Sequence, residues 1–136
     1  MACPYFYPLA RFETTSWVVP PRLPLGDPFA GECRVREASF QPDEDKVRQV
    51  CNLGYGRGRC DQFPDAADTD AVRFHVATDA GELIHIQYSY EKDCWPREHG
   101  MIEYSTAEGV VSSDPANAIL RRQVAAFVEG YVRRRG

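Results

Sequence analysis

The stretch AVRFHVATDAGELIHIQYSY, Ala71 to Tyr90, decides the fold. Val72, Phe74 and Val76 alternate with Arg73 and His75, and Ile84, Ile86, Tyr88 and Tyr90 alternate with His85, Gln87 and Ser89. A period of two places each apolar set on one face of a strand. Gly81 in the connection Asp79-Ala80-Gly81 suits the left-handed position of a three-residue hairpin loop. That loop pairs Val76 with Ile84, Phe74 with Ile86 and Val72 with Tyr88. It also sets His75 opposite His85 and Arg73 opposite Gln87. A loop one residue shorter would set Val76 against His85 and mix the faces. A third strand, MIEYST from Met101, follows an excursion that carries Cys94, Trp95, Pro96 and His99.

Downstream, Ala116, Leu120, Val124, Phe127, Val128 and Tyr131 form one apolar stripe at helical spacing. Ser113 or Asp114 caps this helix, Pro115 starts it, and Arg121, Arg122 and Gln123 lie largely off the stripe. The stripe is expected to cover the Val72/Phe74/Val76 face. Arg133, Arg134 and Arg135 suit the negative end of the helix dipole.

Upstream, prolines 20, 21, 24 and 28 forbid a long helix. Tyr5, Phe6, Tyr7, Phe12, Trp17, Val18 and Val19 carry more apolar surface than a solvated tail, so this zone is expected to wrap over a core. A short helix follows. Pro42 takes its first position, Asp43, Glu44 and Asp45 its first turn, and Gly54 its end. Val47, Val50 and Cys51 recur at i, i+3, i+4, so Cys51 points inward. The expected fold is α+β in a single domain over 1–136. An irregular half bearing cysteines (1–65) contains one short helix, an antiparallel meander of three or four strands spans 70–112, and a helix packed on one face spans 114–134.

The chain has 136 residues, 43% hydrophobic and 12% aromatic, enough to bury a core without disulfides. Its net charge of -4 argues against a nucleic-acid binder. The segment Asp43 to Asp70 alone holds seven acidic residues. There is no apolar run of membrane-spanning length, and the N-terminus lacks the pattern of a signal peptide. The protein is therefore read as cytoplasmic, open to a protein partner whose nature the sequence does not name. In that compartment thiols stay reduced and cysteines serve as metal ligands or reactive groups.

Cys3, Cys33, Cys51 and Cys60 follow the pattern C-x29-C-x17-C-x8-C, and Cys94 stands apart. No C-x2-C knuckle of a zinc ribbon is present. Four thiolates can still meet in space, and iron–sulfur clusters use widely separated ones. Cys3-Pro4 resembles the Cys-Pro pairs found beside clusters. The expected metal ligands are Cys3, Cys33, Cys51 and Cys60, holding an iron–sulfur cluster in preference to structural zinc. Between the last two lies CNLGYGRGRC. Gly54, Gly56 and Gly58 are expected to bring N–H groups to sulfur, Tyr55 to exclude water with Phe6 and Phe63, and Arg57 and Arg59 to balance thiolate charge. The bland alternative is a metal-free domain whose cysteines are small core hydrophobes.

The same glycine-rich run lacks the spacing of a dinucleotide fingerprint and the GK[ST] ending of a P-loop. His75 and His85, with His99 as a third candidate, form a weaker metal or proton-transfer site. No H-x-x-H type of motif supports it, and the plainer reading is a half-exposed sheet face beneath the N-terminal arm. No acid/base or nucleophile set can be placed. The chain reads as a non-catalytic binding or regulatory domain, with a small enzyme or redox protein using the cysteines or the histidine face as the alternative.

Overall fold

A computed structural model describes residues 2–11, 29–35, 38–57, 60–64, 67–111 and 117–135. Phe12, Trp17, Val18, Val19, Gly58, Arg59 and the helix-starting residues Ser113 to Ala116 lie outside them. The expected α+β character holds: two antiparallel sheets and a C-terminal helix.

The larger sheet contains β3 (Ala71–Asp79), β4 (Leu83–Lys92), β5 (Trp95–Ser105) and β6 (Val110–Val111), each paired with the next. The alternation read from the sequence is present, but the register differs. Val76 pairs with Ile86, Phe74 with Tyr88 and Val72 with Tyr90. Ala80 and Leu83 close a tighter turn in which Gly81 takes φ +87°. Such a turn alone would mix the faces. An irregularity between Val76 and Thr78 restores them, because the extra residue, Ala77, moves the strand by one. His75 therefore faces Gln87, and His85 faces Thr78.

The excursion expected before Met101 is itself strand. Asp93 and Cys94 form the turn between β4 and β5, both with positive φ (52° and 67°). Two successive left-handed residues define a hairpin turn whose twist matches that of the strands.

Helix α2 (Ala118–Arg135) starts later than its sequence pattern implied. Asn117 is the cap, its Oδ1 accepting the N–H groups of Ile119 (2.9 Å) and Leu120 (3.1 Å). Leu120, Val124 and Val128 are buried with Val72, Ile84, Ile86 and Ile102 in one core. Phe127 meets Phe74 at 5.7 Å between ring centroids, as the stripe predicts. Gln123 and Arg122 lie off the stripe, as expected, but on a second packed face. Gln123 is 0% exposed and donates from Nε2 to the carbonyls of Cys3 (2.9 Å) and Phe6 (2.7 Å). Arg122 donates to the carbonyls of Pro8 and Leu9. The helix thus has two buried faces, and the second is polar because it meets strand carbonyls rather than side chains.

All of those carbonyls but that of Cys3 belong to a sheet that the irregular reading of residues 1–65 missed. β1 (Phe6–Arg11) pairs antiparallel with β2 (Phe29–Cys33), placing Phe6 opposite Cys33. The register shifts between Pro8 and Ala10, where proline withholds a donor. Gly31 faces Pro8, and a Cβ there would collide with the carbonyl of Tyr7. The short helix is α1 (Glu44–Lys46), which widens into a π-helical segment, Val47–Cys51. Asp43 caps it through Oδ1 to the Lys46 N–H at 2.8 Å, so Pro42 precedes the helix instead of opening it.

Candidate functional site

Cys3, Cys33, Cys51 and Cys60 line a single cavity. Each arrives on a different element. Cys3 precedes β1, and its N–H donates to the Cys51 carbonyl at 3.0 Å. Cys33 ends β2 and exchanges backbone hydrogen bonds with Phe40. Cys51 ends the π-helical segment, inward as its spacing implied. Cys60 closes the glycine-rich loop, donating its N–H to the Gly56 carbonyl at 2.7 Å.

The other walls are mostly apolar, with Tyr5, Phe6, Phe40, Val50 and Phe63 among them, and Lys46 and Gln62 as polar members. About 370 Å³ is unfilled by atoms, part of it open to solvent, and the centre of a water molecule can reach about 20 Å³. The thiols therefore line a space and do not close on a point. Among the described residues, no group of three or more His, Cys, Asp or Glu side chains is disposed to hold a metal ion. Of the His75/His85/His99 set, His75 and His99 line one cavity beside Gln87 and Ser89, and His85 lies apart from it. His75 and His99 are exposed, and His85 contacts Thr78 Oγ1 (2.8 Å) and Glu103 Oε1 (3.2 Å).

Burial pushes the Cys3 thiol up to about 12, opposed by the backbone N–H groups of Tyr5 and Phe6 and reinforced by Cys33 and Cys60 nearby. Burial raises the Cys51 thiol as well, with Cys3, Cys33 and Cys60 adding to the shift and Lys46 opposing it. These mutual influences accord with the four sulfurs sharing one cavity. The buried Cys3 and Cys51 thiols are held in the protonated form near neutral pH, where they are weak nucleophiles.

Among the described residues, the N–H groups favouring a thiolate at Cys3 come from Tyr5 and Phe6. Gly54 ends the helix at φ 80°. Gly56 makes room beside a thiol: a Cβ there would lie 3.4 Å from Cys60 Cβ and 3.0 Å from Val50. Tyr55 turns away, its hydroxyl donating to Glu91 Oε1 at 2.7 Å and accepting the Cys94 N–H. Arg57 binds Asp70 Oδ1 (3.0 Å) and the carbonyls of Ala67 (2.7 Å) and Pro64 (3.4 Å), and lies over Phe63. Its charge meets a buried carboxylate.

Sequence reasoning missed two residues here. Lys46 is the cation on the cavity wall, its Nζ 2.8 Å from Asp61. Asn52, 0% exposed, joins Phe29 N–H and C=O to the Val47 carbonyl and so locks the Cys51 segment to β2. The i, i+4 spacing of Lys46 and Val50 is the one signal that could have found Lys46, and no spacing marks Asn52. The chain matches no protein-family model, no curated protein and no solved structure.

Proposed function

We propose that this protein is a small metal-binding domain in which Cys3, Cys33, Cys51 and Cys60 hold an iron–sulfur cluster, with a binding or regulatory task. The observation that carries the reading is the shared cavity: four cysteines spread from position 3 to position 60 line one space. Core thiols acting only as small hydrophobes have no reason to gather. The donor set is all sulfur, which suits iron–sulfur clusters and zinc alike.

The absence of any C-x2-C knuckle, the spacing of common zinc ribbons, favours the cluster over zinc. A bound cluster supplies one-electron chemistry or a covalent cross-link between chain segments. The surrounding residues exclude water through Phe6, Phe40 and Phe63, and Lys46 offsets negative charge. The walls offer little else for acid–base chemistry, which supports binding over catalysis.

The test is metal analysis of protein purified without oxygen. Brown protein with iron and acid-labile sulfide, lost in Cys60→Ser and kept in Cys94→Ser, is the expected result. One equivalent of zinc would replace the cluster with a structural ion. Folded protein free of metal, which takes up neither on reconstitution, would overturn the site.

A further inference from the structure

A second cavity, of about 530 Å³, opens where the start of α2 meets the sheet. Tyr88, Tyr90 and Glu98 come from the sheet, Ile119 and Leu120 from the helix, and Tyr5 from the segment before β1. This is a volume suited to a small ligand, and the lining combines aromatic and aliphatic side chains with the polar groups of Arg34, Thr69, Glu98 and Asn117. The rings are fixed. Tyr88 lies across Gly100, where a Cβ would come within 2.6 Å of its hydroxyl. Tyr90 stands edge-on to Tyr88 at 5.8 Å and receives a hydrogen bond from Asn117 Nδ2 at 3.5 Å.

The charges are unbalanced. Arg34, which also lines the cleft, binds Glu32 Oε1 through Nε (3.0 Å) and Nη2 (2.8 Å) and stacks on Tyr7. Its charge is therefore met by Glu32. Glu98 pairs with Tyr90 across the strands, and its side chain makes no ion pair or hydrogen bond among the described residues. One uncompensated carboxylate beside two tyrosine rings is complementary to a positive organic group, which rings attract through their π faces.

We propose that this cleft binds an organic cation, an ammonium or guanidinium group on a small apolar body, with its charge between the Glu98 carboxylate and the Tyr88 and Tyr90 rings. The group can belong to a free amine or to a lysine or arginine side chain of a partner. Neither case depends on the cysteine cavity being filled.

The test uses the full chain in calorimetric titrations with choline, benzyltrimethylammonium, a short acetylated peptide containing one lysine, and 3,3-dimethylbutan-1-ol, the uncharged isostere of choline. A cationic probe is expected to bind saturably and about tenfold or more tighter than the neutral isostere. Glu98→Gln, at an exposed position, is expected to weaken it about fivefold or more with the thermal midpoint unchanged. Tighter binding of the peptide assigns a protein side chain, and tighter binding of the free cations assigns a small molecule. Absence of saturable binding by every cationic probe, equal binding of the isostere, or full affinity in Glu98→Gln overturns the proposal.

Discussion

Arg57 shows how little a residue's charge says about its task until its neighbours are known. It sits in a loop of glycine and arginine that looks built to meet an anion from outside. The anion is Asp70, 2% exposed, which also accepts the Asp93 N–H at 2.9 Å. Glu91, 4% exposed, is matched in the same way by Arg73 and Tyr55. Removing one partner of a buried pair leaves the other charge uncompensated. Arg57→Ala is accordingly expected to cost about 3 kcal/mol or more in urea denaturation, with Arg57→Lys recovering only part because one ammonium cannot reach Asp70 and two carbonyls together. Cys3 carries a pH dependence of its own. Its folded thiol titrates at about 12, above the ordinary value of 9.0, so the protonated form is the one the fold favours. That stability is complete below pH 9 and drains away as pH rises towards 12. Apo protein should show this alkaline loss in denaturation series across that range. A metal-loaded sample, already holding Cys3 as thiolate, should not show it.

At the scale of elements, α2 is a helix with two different jobs on two faces. Its apolar stripe was visible at 3.6 periodicity. Gln123 was not, because a glutamine beside arginines on a surface-like stretch carries no sign that strand carbonyls will lie above it. Gln123→Leu keeps the volume and removes both hydrogen bonds, leaving the buried Phe6 carbonyl without that donor. The expected loss is about 2 kcal/mol in urea denaturation; if the proposed cluster is bound, its iron should also pass faster to a chelator, since Cys3 loses its tether to the helix. Asn117→Ala tests the other end. It removes the cap of the first turn and should cost about 1 kcal/mol, read as a lowered urea midpoint, with metal content unchanged. The hairpin teaches a related lesson. Its strands and faces were legible from alternation, and its register was not, because a single extra residue at Ala77 shifts pairing without leaving any mark in the apolar pattern. β1 and β2 were hidden for another reason: prolines and a glycine interrupt the period, and their partners lie far apart in sequence.

Across the whole molecule, the smaller sheet and the π-helical segment bring the cysteines together, and the larger sheet with α2 supplies most of the core. The gathering of Cys3, Cys33, Cys51 and Cys60 could be anticipated from their number and from the absence of another use for them. The distribution of contacts around them could not. Lys46, Asn52 and Gln123 owe their places to tertiary packing, which spacing along a chain does not encode. The cleft beside Tyr88 and Tyr90 was equally invisible, since it exists only where the start of α2 meets the sheet.

The tether from Gln123 to Cys3 bridges 120 positions, and it sets an order of events during synthesis. All four cysteines have been made once position 60 is reached, but Gln123, which fastens the first of them to the helix, is not made for another 63 residues. At about 5–20 residues per second that interval is roughly 3 to 13 s. For its duration the nascent chain carries four thiols without the support of α2. Any factor that delivers iron during translation, or shields thiols from oxidation, has that window in which to act.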